Sequence, residues 1–124
     1  MNKRKIPSEE EFLQAKANMR ENDRGLSDLS DRVVKRFCDR GVYKCFTLYS
    51  PRVDTFFCYI FFEFHRQIAN AEQSDFSCEI SFYLKTELTS IGRLTSSFQQ
   101  IAIEFDSHEN ICQTYNGDYF LRLR

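Results

Sequence analysis

At 124 residues, 42 % of them hydrophobic, the chain is long enough to bury a real core and too apolar for a disordered segment. Its net charge of −1 argues against a general nucleic-acid binder, which is normally basic overall. The longest apolar run, Phe56 to Phe62, is far too short to cross a bilayer.

The first helix is expected to start at Ser8. Ser8-Glu9-Glu10-Glu11 reads as a capping box, with the Ser8 hydroxyl serving the amide of Glu11 and the Glu11 carboxylate reaching back. Phe12, Ala15 and Met19 follow as an apolar stripe, and Gly25 ends the segment. A second helix is predicted between Ser27 and Gly41. Leu29, Val33 and Phe37 fall at i, i+4 and i+8, with Val34 and Cys38 beside them, and Gly41 stands where a left-handed cap is wanted.

Beyond Gly41 the period changes from helical to two. Residues 1–40 hold only Phe12 and Phe37 as aromatics, and the other seventeen follow. Tyr43 to Tyr49 is a strand candidate closed by Ser50-Pro51, and Thr55 to Phe64 is dense in strand-favouring Phe, Tyr and Ile. Phe76 to Thr86 alternates cleanly, with Phe76, Cys78, Ile80, Phe82 and Leu84 on one face, and reads as a half-buried strand. Ile101, Ile103 and Phe105 make another. Asn116-Gly117, between Ile111–Tyr115 and Tyr119–Leu123, has the chemistry of a type I′ hairpin turn. His65 to Asp75 fits a short helix or a long hairpin loop, and Thr89 to Ser97 yields no assignment. The expected product is a single α+β domain, residues 1–124, with a helical part (1–40) and a sheet part (41–124). Its two N-terminal helices pack on one face of a four- to six-stranded antiparallel sheet.

The five cysteines, Cys38, Cys45, Cys58, Cys78 and Cys112, are odd in number and have no close pair. That is a poor disulfide framework, and free thiols packed as small hydrophobes in a reducing compartment fit better. The opening Lys3, Arg4 and Lys5, followed by three glutamates, does not read as a secretion signal. A cytoplasmic protein is expected.

Catalytic and metal motifs do not survive inspection. His65 and His108, with Lys44 and Lys85, have the residue types of an acid–base site, but nothing in their spacing brings them together. Ser107-His108-Glu109 has the types of a hydrolase triad, yet sequence neighbours do not converge as nucleophile, base and orienter. Cys45, Cys58 and Cys78 are far apart within strand candidates and read as core thiols, not zinc ligands. Only four glycines occur, with no phosphate loop and no dinucleotide pattern. No catalytic, cofactor-binding or metal-ligating residue is therefore expected. Arg32, Arg36 and Arg40 repeat at i, i+4 and i+8 as a basic stripe able to meet an acidic partner or a phosphate backbone, as of RNA; Asp28 and Asp31, four residues before Arg32 and Lys35, favour a solvated face.

The most unusual stretch is Phe56 to Phe64. One face carries Phe56, Cys58, Ile60, Phe62 and Phe64; the other carries Phe57, Tyr59, Phe61, Glu63 and His65. A central strand buried on both faces explains it, and an uncovered aromatic patch at Phe57, Tyr59 and Phe61 is the sharper alternative. In that alternative Tyr59 and Tyr83 serve as anchors for a protein partner, rimmed by Glu63, Glu79 and Lys85.

In its size, its capped helix at Ser8-Glu9-Glu10-Glu11, its scattered free cysteines and its aromatic run Phe56–Phe64, the chain resembles small bacterial immunity proteins, such as those of contact-dependent growth-inhibition systems. The resemblance implies a compact domain without cofactor or catalysis that binds and neutralises one cognate protein toxin, with no membrane or nucleic-acid role. Many such proteins are clearly acidic, and this chain departs from that. Two helices before an aromatic-lined sheet also look like the cone fold of nuclear-transport-factor-2-like proteins. That likeness implies a small-molecule or isomerase-like pocket, with Glu63 and His65 as the candidate polar groups.

Overall fold

The computed structural model describes residues 8–11, 13–14, 23–96 and 98–123. At its start the capping box forms as expected. The Glu11 amide donates to the Ser8 hydroxyl at 3.2 Å, and the Ser8 amide donates to the Glu11 carboxylate at 3.4 Å. The expected stripe of Phe12, Ala15 and Met19 lies outside the described residues.

Helix α1 (Leu26–Phe37) follows Gly25 and presents to the core Leu29, Val33 and Phe37, the stripe read from the sequence, together with Leu26. A single 3-10 turn, Cys38–Arg40, closes it. Gly41 adopts φ 95°, its amide donating to the Cys38 carbonyl. Strands β1 (Val42–Ser50) and β2 (Thr55–Phe62) then form an antiparallel hairpin in which Thr47 faces Cys58 and Phe46 faces Tyr59. Helices α2 (Gln67–Gln73) and α3 (Phe76–Ser90) lead to β3 (Gln100–Ser107), which pairs parallel to β2. Two short helices, α4 (His108–Thr114) and α5 (Tyr119–Leu123), complete the described chain.

Three expectations are corrected. Among the described residues the sheet has three strands in the order β1-β2-β3, not four to six, and it is mixed, not antiparallel. The α2–α3 crossover returns the chain to the same end of the sheet, and a parallel neighbour needs such a crossover. Phe76 to Thr86 is helical: Phe76, Ile80, Leu84 and Leu88 are its buried residues, while Cys78 and Phe82 turn to solvent. The same residues satisfy a period of two and a spacing of four, and the fourth member, Leu88, extends the stripe beyond an ordinary strand. Asn116-Gly117 turns between two helices instead of two strands. Its left-handed backbone, φ 54° and 80°, is what those residue types supply, but Ser107 caps a helix upstream by accepting the Asn110 amide at 3.0 Å. His65–Asp75, left open between helix and loop, contains α2.

The middle strand β2 has helices on both of its faces. Phe56, Cys58, Ile60 and Phe62 share the main core with α1, α3 and Ala71 of α2. Phe61 sits on the opposite face in a second core with Ile111 and Tyr119, flanked by Phe46, Tyr59, Tyr115 and Leu123. Polar ties hold both layers. The Ser30 hydroxyl on α1 donates to the Leu26 carbonyl and accepts the Thr47 amide of β1, each at 2.9 Å. Buried Asp106 accepts from the Ser107 amide (2.8 Å), the Asn110 amide group (3.0 and 3.2 Å) and Arg122 Nε (2.6 Å). The last bond holds the Arg122 proton more tightly than usual and fastens α5 to the sheet.

Candidate functional site

Helices α1 and α3 lie on the same sheet face, and the seam between them is an open groove of about 420 Å³. Its floor is aromatic. Phe37 packs edge-on against Phe76 at 5.4 Å and against Tyr83 at 5.6 Å. Its ends are closed by two ion pairs, Arg32 to Glu87 and Arg40 to Glu79, both at 2.9 Å. The basic stripe of α1 thus leans onto α3, and Arg40 also lies over the Phe76 ring at 4.7 Å. Arg36, between the two pairs, makes no ion pair among the described residues and faces the groove beside Tyr83 and Phe82. Phe82 is 74 % exposed. Such a residue is costly to leave wet, and an exposed aromatic above an aromatic floor is the composition of an interface centre. Burial, with Glu87 nearby, raises the Tyr83 phenol above its ordinary value.

The seven residues singled out in the sequence fall on two sides of the sheet. Glu79 and Tyr83 line the groove, and Lys85 is exposed on the same helix. Phe57, Tyr59 and Phe61 point to the other face. Phe61 is 1 % exposed, covered by Phe46 and Tyr119 at ring distances of 6.0 and 4.8 Å. Tyr59 is half-buried under the Arg122 guanidinium, 5.8 Å from its ring, and burial raises its phenol. Phe57 is half-buried between Leu48 and Ala102 on the neighbouring strands. Glu63 is exposed just past β2. Sequence reasoning singled out Arg36 in the basic stripe but missed Phe82 and Glu87, because it placed Phe82 on the core face of a strand. Read at a spacing of four, Ile80, Leu84 and Leu88 separate from Phe82 and supply the missing signal.

The histidines keep separate company. His65 Nδ1 meets the Ser107 hydroxyl at 3.1 Å, and its amide donates to Glu109 at 3.1 Å. Ser107 is fully buried and caps α4, so the Ser107-His108-Glu109 sequence does not converge. His108 Nδ1 instead meets the Tyr119 hydroxyl at 2.6 Å, and its Nε2 lies 3.5 Å from the Cys112 sulfur. Among the cysteines, Cys45 and Cys58 are buried with sulfurs 3.6 Å apart, while Cys38, Cys78 and Cys112 are exposed. The reading of Cys78 as a core thiol is thereby corrected, because α3 turns it outward. Among the described residues no group of three or more His, Cys, Asp or Glu side chains is placed to hold a metal ion, and no helix is long and apolar enough to cross a membrane.

No protein-family model, curated protein or solved structure matches this chain.

Proposed function

We propose that the chain is a non-enzymatic protein-binding protein, an immunity-type inhibitor that neutralises a cognate bacterial toxin in the cytoplasm by occupying its surface. The observation that carries this reading is Phe82, three-quarters exposed over the aromatic floor of the α1–α3 groove. Tyr83 gives the groove a second anchor, and the Arg32–Glu87 and Arg40–Glu79 pairs form a charged rim. Arg36 adds a cation beside the anchors. The matching surface is an apolar side chain next to a carboxylate on the partner.

The pocket reading finds less support. A cone-type protein needs a deep apolar cavity between helices and sheet. Among the described residues that space is filled by Phe37, Phe62, Phe76, Ile80 and Phe105. The RNA reading is weakened too, since two of the three stripe arginines are paired with α3 carboxylates.

The test pairs recovery with protection. Tagged wild-type protein and Phe82→Ala are used to capture partners from the host, and each captured protein is expressed alone and with the chain. A protein that arrests growth alone, is relieved by the wild type, and binds Phe82→Ala at least about 30-fold more weakly is the expected result, since an anchor contributes about 2 kcal/mol or more. A partner that binds both forms equally, or whose expression the chain does not make tolerable, overturns the reading.

A further inference from the structure

Cys112 stands apart from the other exposed thiols. It lies one helical turn after His108 on α4, with its sulfur 3.5 Å from His108 Nε2. The other ring nitrogen, Nδ1, is engaged by the Tyr119 hydroxyl at 2.6 Å. Burial pushes the Tyr119 phenol up to about 12. The tautomer the pair requires is the one in which Nδ1–H donates to the phenol oxygen. In that tautomer Nε2 presents a lone pair to the thiol. The imidazole also packs beside the Tyr43 ring at 4.8 Å, and the Tyr119 ring lies 5.8 Å away. Nucleophile, base and orienting group are thus held in one chain of contacts, the arrangement that activates a cysteine.

Tyr43 from β1 and Tyr119 from α5 contact the imidazole, and Tyr119 is in turn faced by Lys44 from β1 and Asp106 from β3. Lys44 Nζ sits 4.6 Å from the centre of the Tyr119 ring, which places a positive charge on the same side of the molecule. The remaining thiols lack this setting. Cys38 donates to the Lys35 carbonyl at 3.5 Å, Cys78 is exposed on α3, and Cys45 and Cys58 are sealed in the core.

We propose that Cys112, with His108 as its base, is a reversible modification site that takes low-molecular-weight disulfides. Cys112 gives its proton to His108 Nε2, and the thiolate attacks one sulfur of the small disulfide. A new sulfur–sulfur bond forms as the old one breaks. The departing thiolate takes the proton back from the imidazolium, so one disulfide is consumed and one is made with no net oxidation.

The chain carries its own controls. Intact folded protein is incubated with oxidised glutathione at pH 7, and the initial rate of adduct formation is measured at each cysteine by peptide mapping. Cys112 is expected to react about tenfold faster than Cys38 and Cys78, and His108→Gln to remove that advantage while leaving the other two rates unchanged. Equal rates at the three exposed cysteines, or an advantage that survives His108→Gln, overturn the proposal. Should His108→Gln lose its fold by circular dichroism, the wild-type pH profile decides. The Cys112 advantage must narrow between about pH 7 and 9, where unassisted thiols ionise on their own. A ratio constant over that range overturns it.

Discussion

Ser30 illustrates what one residue does in this fold. It lies in the middle of α1, a position where serine is a mediocre helix former. Its hydroxyl answers the Thr47 amide on the free edge of β1, and both residues are buried. The contact binds helix to strand and covers a donor that an edge strand would otherwise expose. Ser30→Ala leaves that amide without a partner, and a loss of about 1–3 kcal/mol in urea unfolding is expected. A loss under about 0.5 kcal/mol, the range of ordinary surface changes, would show that water replaces the hydroxyl. The sequence held no hint of this role, since a serine beside Leu29 has the same signature whether it faces solvent or a strand.

At the scale of the element, α3 separates two readings of one pattern. Phe76, Ile80 and Leu84 belong both to the alternation of a strand and to one face of a helix. Cys78 and Phe82 distinguish them, because a strand buries both and a helix exposes both. Ile80→Ala should therefore cost about 2–5 kcal/mol, and Phe82→Ala should stay within about 0.5 kcal/mol of wild type in the same denaturation experiment. Similar costs at both positions would return the segment to a strand. The C-terminal pair α4–α5 teaches a related lesson. Asn116-Gly117 was legible as a left-handed turn, and it is one. What it connects was decided by its flanks: the Ser107 cap starts a helix, and Ile111 and Tyr119 each find cover against Phe61. The candidate groove was half legible for the same reason. Glu79 and Tyr83 were singled out, but as members of a strand face shared with Phe57 and Tyr59.

At the scale of the whole fold the described residues are layered, with helices on both faces of a three-stranded mixed sheet. The phenols of Tyr49, Tyr59, Tyr83 and Tyr119 are all held above their ordinary value, Tyr119 up to about 12. Each raised phenol binds its proton more tightly folded than unfolded. Its contribution is complete below about pH 10, the unfolded value, and is lost as pH rises through the folded one. Stability should therefore fall between about pH 10 and 12. Tyr119→Phe, which keeps the ring against Phe61 and Phe46 and removes the ionisable group, should lose less over that interval in urea melts at the two pH values. An identical fall in the variant would place the alkaline sensitivity at the other tyrosines. By itself the sequence determined the capping box at Ser8, the core stripe of α1, the strands β1 and β2 as separate elements and the strand at Ile101–Phe105. Each of these is written in spacings of a few residues, where local sterics and apolar periodicity suffice. Tertiary structure decided the rest: the helical state of Phe76–Ser90, the parallel pairing of β3 and the second core over Phe61. These depend on which distant surface becomes available to cover an apolar face, and a short apolar pattern compatible with two periods does not carry that information.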